Sequence, residues 1–163
     1  MNSILEKLNS YQILTNLLPG AFFGLGIRFF FGLELPTKNI GEDVIVYYFV
    51  GLIIGRIGSL VVEPALKKIG ILKYAPYKEF VSASKADPKI DTLSETNNFF
   101  RSLLTCSILF PVVDKLRVFA LSCPWFFNNW KWLLLILVIV ILLFAYKKQT
   151  DYVRNRVRAN LSK

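Results

Sequence analysis

Histidine is absent from this chain of 163 residues. That excludes imidazole zinc sites, Ser-His-Asp triads and histidine proton relays together. Cysteine is scarce as well: Cys106 and Cys123 stand 17 apart in or beside apolar stretches, with no CxxC pair. Neither a thiolate metal site nor a disulfide framework is indicated, and two inert buried thiols are expected. Acids are few, 11 against 20 lysines and arginines, and Glu63 and Asp114 are single acids far apart in the chain. No catalytic residue, metal or cofactor is therefore expected, and an enzyme is the weakest reading.

Apolar sequence is what the chain has in quantity. With 54% hydrophobic residues, 15% aromatics and a mean hydropathy of +0.47, it is greasier than a water-soluble domain of this size. Segments near 12–33, 44–62, 99–121 and 124–146 each approach the ~20 apolar residues that a spanning helix needs. The expected fold is an all-α membrane protein with four transmembrane helices. It divides into a first helix pair at 1–62, a basic and aromatic cytoplasmic segment at 63–101, a second pair at 102–146 and a basic tail at 147–163. The first segment lacks a basic start and an A-x-A-like site, so it does not read as a cleaved signal peptide.

Cations set the orientation. Lys67, Lys68, Lys73, Lys78, Lys85, Lys89 and Arg101 follow segment two, and Lys147, Lys148, Arg154, Arg156, Arg158 and Lys163 follow segment four. The positive-inside rule then places both termini and the 63–101 segment in the cytoplasm of a bacterial inner membrane. Lys115, Arg117 and Lys131 flank the second outer connection and weaken that asymmetry, while Trp125, Trp130 and Trp132 suit an interfacial aromatic belt. Most of the net charge of +9 is explained by topogenic cations beside anionic lipid.

Local signals refine this outline. "MNSILEKLNSYQIL" reads as an amphipathic entry, and Pro19-Gly20 interrupts segment one. Segment two is expected to stop at Glu63-Pro64. "DPKIDTLSETNNFFRSLL" reads as a helix start, with Pro88 in the first turn and Thr92 with Glu95 as a capping box. Val153, Val157 and Leu161 recur at four-residue spacing, so the last helix is expected to continue into the cytosol.

Small residues and arginines mark the apolar segments. Gly20, Gly24, Arg28 and Gly32 share one helical face by spacing, and Gly51, Gly55 and Ser59 share another, with Arg56 beside it. Such faces serve close packing within a subunit or between subunits. An arginine in mid-bilayer costs several kcal/mol on insertion scales, so Arg28 and Arg56 call for a reason. Asp114 is a depth-matched partner for Arg28. Glu63, seven residues after Arg56, falls on the same face and is placed to neutralise it through water or across a subunit boundary. The functional alternative puts Arg56 and Arg28 on a hydrated path, where rings of charge favour anions or hold a pore closed. Four helices are too few to enclose such a pore, so that reading implies a cyclic homo-oligomer.

"KKIGILKYAPYKEF" interleaves Lys67, Lys68, Lys73 and Lys78 with Tyr74, Tyr77 and Phe80. Cations for phosphates and aromatic platforms for bases are the chemistry of single-strand nucleic-acid binding, and equally of a headgroup layer. "NLLPGAFFGLGI", "GRIGSLVVEPALKKIGILKYAPYKEF", "LSETNNFFR" and "YKKQTDYVRNRV" resemble a group of small four-pass bacterial membrane effectors of anti-phage defence, of the Hailong type, which accompany a nucleotidyltransferase. The resemblance is one of texture and segment order. It implies a channel-like homo-oligomer controlled by a nucleotide-derived ligand, in that family single-stranded DNA, whose opening damages the infected cell. Carried onto this chain, it implies a ligand site on Lys67, Lys68, Lys73, Tyr74, Tyr77, Lys78 and Arg101, joined by Arg154, Arg156 and Arg158, and a gate among Arg28, Arg56, Gly51, Gly55 and Ser59. Two other classes compete: a holin-like pore without ligand control, and a small four-pass lipid or glycolipid carrier. The carrier would need more interior polar residues than Thr15, Asn16 and Thr105.

Overall fold

The computed structural model describes residues 13–33 and 39–161, so the amphipathic entry falls almost wholly outside the described residues. Every regular element among the described residues is helical, which bears out the all-α expectation. A π turn, Ile13–Leu17, leads into helix α1, Leu18–Phe31. Gly32 closes α1 with a left-handed φ of 65° and donates its N–H to the Arg28 carbonyl at 2.9 Å, a role that favours glycine. Helix α2, Ile40–Ile57, starts on Asn39, whose side chain accepts the Gly41 N–H, with Glu42 and Asp43 facing the positive end of the dipole. A second π turn, Gly58–Val62, joins α2 to α3, Glu63–Lys68. Helices α4, Tyr77–Ala86, α5, Lys89–Ser122, and α6, Pro124–Leu161, complete the chain.

One boundary differs from expectation and two agree with it. The chain does not stop at Glu63-Pro64: it runs as one helical rod from Ile40 to Lys68. Pro64 is tolerated because it sits at the head of α3, after a π turn has already widened the helix. Helix α5 begins at Lys89, ahead of the Thr92–Glu95 pair, because the Asp87 carboxylate accepts the Lys89 N–H at 2.9 Å. The tail does continue the last helix, to Leu161.

Among the described residues two helices are long and apolar enough to cross a bilayer, Ile40–Lys68 and Pro124–Leu161. The expectation of four is therefore met in half. Helix α1 has 14 residues, which span only ~21 Å at 1.5 Å per residue. Helix α5 is long, but Asp114, Lys115 and Arg117 fall within its apolar half.

The packing is turned inside out. The most deeply buried side chains are Thr105, Pro19, Cys106 and Ser102, all small, whereas Phe29, Leu25, Leu137 and Phe144 are exposed. Thr105 and Ser102 return their hydroxyls to the carbonyls of Arg101 and Asn98, one turn back, so neither hydroxyl is left without a partner in the core. The Cys106 thiol, fully buried, faces the Pro19 carbonyl at 3.4 Å. Small side chains let helix backbones approach, and the closest approach is at Gly20 and Gly51. A Cβ on Gly20 would fall on the Tyr47 carbonyl, and one on Gly51 on that of Asn16.

Overpacking at this crossing has no side chain to push aside, because the obstacle is backbone. Gly51→Leu is expected to lose about 3 kcal/mol or more, seen as a large drop in melting temperature in detergent. Gly55→Ala, whose Cβ would meet Ser102 Oγ at an ordinary 3.6 Å, is expected to be near neutral in the same measurement.

Candidate functional site

Pro64 organises the site through what it lacks. In the π turn the Glu63 N–H donates five residues back, to the Gly58 carbonyl. The same pattern would satisfy the Ser59 carbonyl with the N–H of residue 64, which proline does not have. A buried carbonyl without a partner is costly. Lys148, from α6, fills the gap: its ammonium donates to the Ser59 carbonyl at 2.5 Å and to the Ser59 hydroxyl at 2.7 Å. A helix interruption in one segment thus becomes a docking point for another.

The π turn also rotates the residues beyond it. In a regular helix Arg56 and Glu63 would share a face, but one extra residue in the turn swings Glu63 round by about 100°. Arg56 is exposed and Glu63, 4% exposed, faces the interior. The expected Arg56–Glu63 pair is therefore replaced by a different one. Glu63 accepts from Lys67 Nζ through Oε1 at 2.8 Å and from Arg101 Nη1 through Oε2 at 2.8 Å, and Lys148 Nζ stands 3.7 Å from Oε2. One buried carboxylate joins α3, α5 and α6.

Three cations on one carboxylate leave the hub with excess positive charge. They are not equal partners. The Lys67 side chain is 44% exposed, whereas those of Arg101 and Lys148 are 21% and 26% exposed. Screening leaves an exposed ion pair worth little, ~0–1 kcal/mol, so the Arg101 and Lys148 contacts hold the hub. Arg101 Nε is buried with no acceptor among the described residues. Beside the hub a small cleft is lined by Arg56, Ser59, Leu60, Ala145, Lys148, Gln149 and Tyr152.

The remaining residues expected at a ligand site are divided. Lys67 also lies over the Tyr74 ring, 4.2 Å from its centroid, and Tyr77 stacks between Phe80 and Tyr152 at 6.5 Å from each. Tyr77 thus fastens α4 to α6. Lys68, Lys73, Lys78 and Arg158 are exposed, and Arg154 pairs with Asp151 at 2.8 Å. Of the small-residue positions, Gly51 and Ser59 are buried within the chain, and Gly55 faces Ser102. Arg28 and Asp114 are exposed; Asp114 lies in a groove with Phe22, Phe30, Phe31 and Phe110. Lys148, Ser59 and Pro64 are the members of the hub that sequence reasoning leaves without a role there. The signal for them is a proline just after a small-residue face, with a lysine closing the last apolar run.

Comparison with known proteins finds no matching family model, no similar curated protein and no similar solved structure.

The hub makes a sharp prediction about energetic coupling. Lys148→Met should destabilise the fold by ~1–3 kcal/mol, because it strips a buried carbonyl of its donor. Pro64→Ala restores an N–H for the Ser59 carbonyl, so Lys148→Met should cost less in that background, by ~0.5 kcal/mol or more. Unfolding of the four proteins in one detergent measures the cycle; strict additivity would remove the carbonyl explanation.

Proposed function

We propose that the chain is a membrane effector of bacterial anti-phage defence that works as an ion-channel-like homo-oligomer. In this reading four helical segments cross the inner membrane, both termini are cytoplasmic, and a nucleotide-derived polyanion gates the assembly from the cytoplasmic side. A single-stranded DNA oligomer, made by a partner nucleotidyltransferase, is the ligand class that the family resemblance brings. Activation depolarises the membrane and arrests or kills the cell.

The observation that carries the reading is the cation-rich hub at one end of the two apolar helices, at the hinge-like π turn of one of them. A lethal pore has to stay shut, and a ligand holds it shut only by binding the closed state better than the open one. Lys67, Arg101 and Lys148 come from three helices, so an anion that engages them together constrains how those helices sit. The inverted packing supports a lipid setting, since large apolar side chains face outward. It supports oligomerisation equally, because outward apolar faces serve lipid and like subunits alike. The shorter α1 and the charged half of α5 fit passes that line a protein or water seam better than passes surrounded by lipid.

Ion flux from liposomes carrying the purified protein tests the proposal. Flux is expected, a short single-stranded oligonucleotide on the cytoplasmic face is expected to change it at low salt, and Arg56→Ala is expected to alter conductance. Absence of flux with and without oligonucleotide, from correctly inserted protein, would overturn the channel reading. Flux that ignores the oligonucleotide would leave a channel and remove the polyanion control. Replacing Lys67, Lys68, Lys73 and Lys78 together by Gln is expected to flatten the salt dependence of oligonucleotide binding.

A further inference from the structure

The donors around the π turn outnumber the acceptors, and Arg56, Lys148, Gln149 and Tyr152 line one cleft there. An ammonium has three N–H groups, and two bonds from Lys148 go to Ser59. Arg101 spends Nη1 on Glu63, while its Nε is buried with no acceptor among the described residues. On the other side of Lys148 the cleft wall carries the guanidinium of Arg56, the amide of Gln149 and the phenol of Tyr152, and no acid lines it. Its interior is about 10 Å³, room for one water-sized group. One oxygen of a tetrahedral anion fits inside while the rest stays at the mouth, where exposed Arg56 reaches it.

We propose that the cleft between the Gly58–Val62 turn and α6 binds the phosphate group of a phosphate mono- or diester, held by Arg56 and Lys148 with Gln149 and Tyr152 as neutral donors. Charge selects an anion, and a guanidinium with an ammonium suits a multidentate oxyanion. Glu63 lies behind the site as an internal anion that already takes part of the Lys148 and Arg101 charge. It therefore competes with the ligand for Lys148. The site goes beyond the channel reading, for it requires neither a pore nor an oligomer. Its place just past the last apolar run suits two sources of the same chemistry, free phosphate and a phospholipid headgroup.

The test uses the full chain purified in a neutral detergent. Inorganic phosphate is titrated at constant ionic strength against chloride, with acetate as a second control, and the melting temperature is read from tryptophan fluorescence. In parallel, vesicles of phosphatidylcholine alone or with phosphatidylglycerol are offered. Phosphate should raise the melting temperature saturably and acetate should not. Arg56→Gln and Lys148→Gln should each weaken the response about tenfold, the loss of one charge-assisted bond. Glu63→Gln should tighten it severalfold, an effect of opposite sign that a purely structural Glu63 does not produce. If Lys148→Gln or Glu63→Gln fails to fold, Arg56→Gln decides, since Arg56 is exposed. Stabilisation by phosphatidylglycerol vesicles without a phosphate effect, lost in Arg56→Gln, assigns the headgroup as source. Equal responses to acetate, or responses untouched by Arg56→Gln, overturn the site, as does no response to either probe.

Discussion

The bond from the Lys148 ammonium to the Ser59 carbonyl is the constraint on which this end of the helix assembly rests. It exists because Pro64 cannot donate, and it turns a defect in one helix into a joint between two. Glu63, brought to the interior by the same π turn, adds Arg101 and Lys67 to that joint. In a continuous α-helix the Ser59 carbonyl would accept the Glu63 N–H, and Pro64 would strip the Leu60 carbonyl of its donor instead. In the first segment too a π turn, Ile13–Leu17, precedes a proline, Pro19, but the carbonyl that the Cys106 thiol meets there is Pro19's own.

Small polar residues make the close packing possible. Ser102 and Thr105 are almost fully buried, yet neither asks anything of a neighbouring helix, since each hydroxyl is satisfied by its own backbone. Gly58, whose added Cβ would come 2.6 Å from Thr105 Oγ1, lets α5 lie against the π turn. That proximity puts Arg101, one turn from Thr105, within reach of Glu63. The glycine and the ion pair are parts of one arrangement, the first setting the distance that the second requires.

Composition and periodicity make the helical class legible, along with the continuous last helix and a helix start near Pro88. The pairing of small residues is legible too, though spacing alone leaves open which surfaces they join; Gly20 and Gly51 meet inside one chain. The ionic site is not legible in detail. Face assignment by counting assumes 3.6 residues per turn, and a single π turn between Arg56 and Glu63 breaks that assumption. Spacing sets Glu63 beside Arg56, whereas within the chain it pairs with Lys67, Arg101 and Lys148, and Arg101 and Lys148 lie 38 and 85 positions away, beyond any local pattern. The apolar runs are legible, but not the helical interruptions and charges that leave, among the described residues, Ile40–Lys68 and Pro124–Leu161 as the helices long and apolar enough to cross a membrane.

Helix α6 gives the hub its reach. It runs unbroken from Pro124 to Leu161, so the stretch beyond Lys148 moves with the part that precedes it. Along that extension Tyr152 meets Tyr77, and Asn160 accepts a hydrogen bond from Lys85 at 2.5 Å. Helix α4 therefore rides on α6 at both of its ends. No proline or π turn interrupts α6 after Pro124, so it has no kink between Lys148 and the residues that hold α4. Anion binding beside Lys148 would act at the joint where the Gly58–Val62 turn, α3, α5 and α6 are tied.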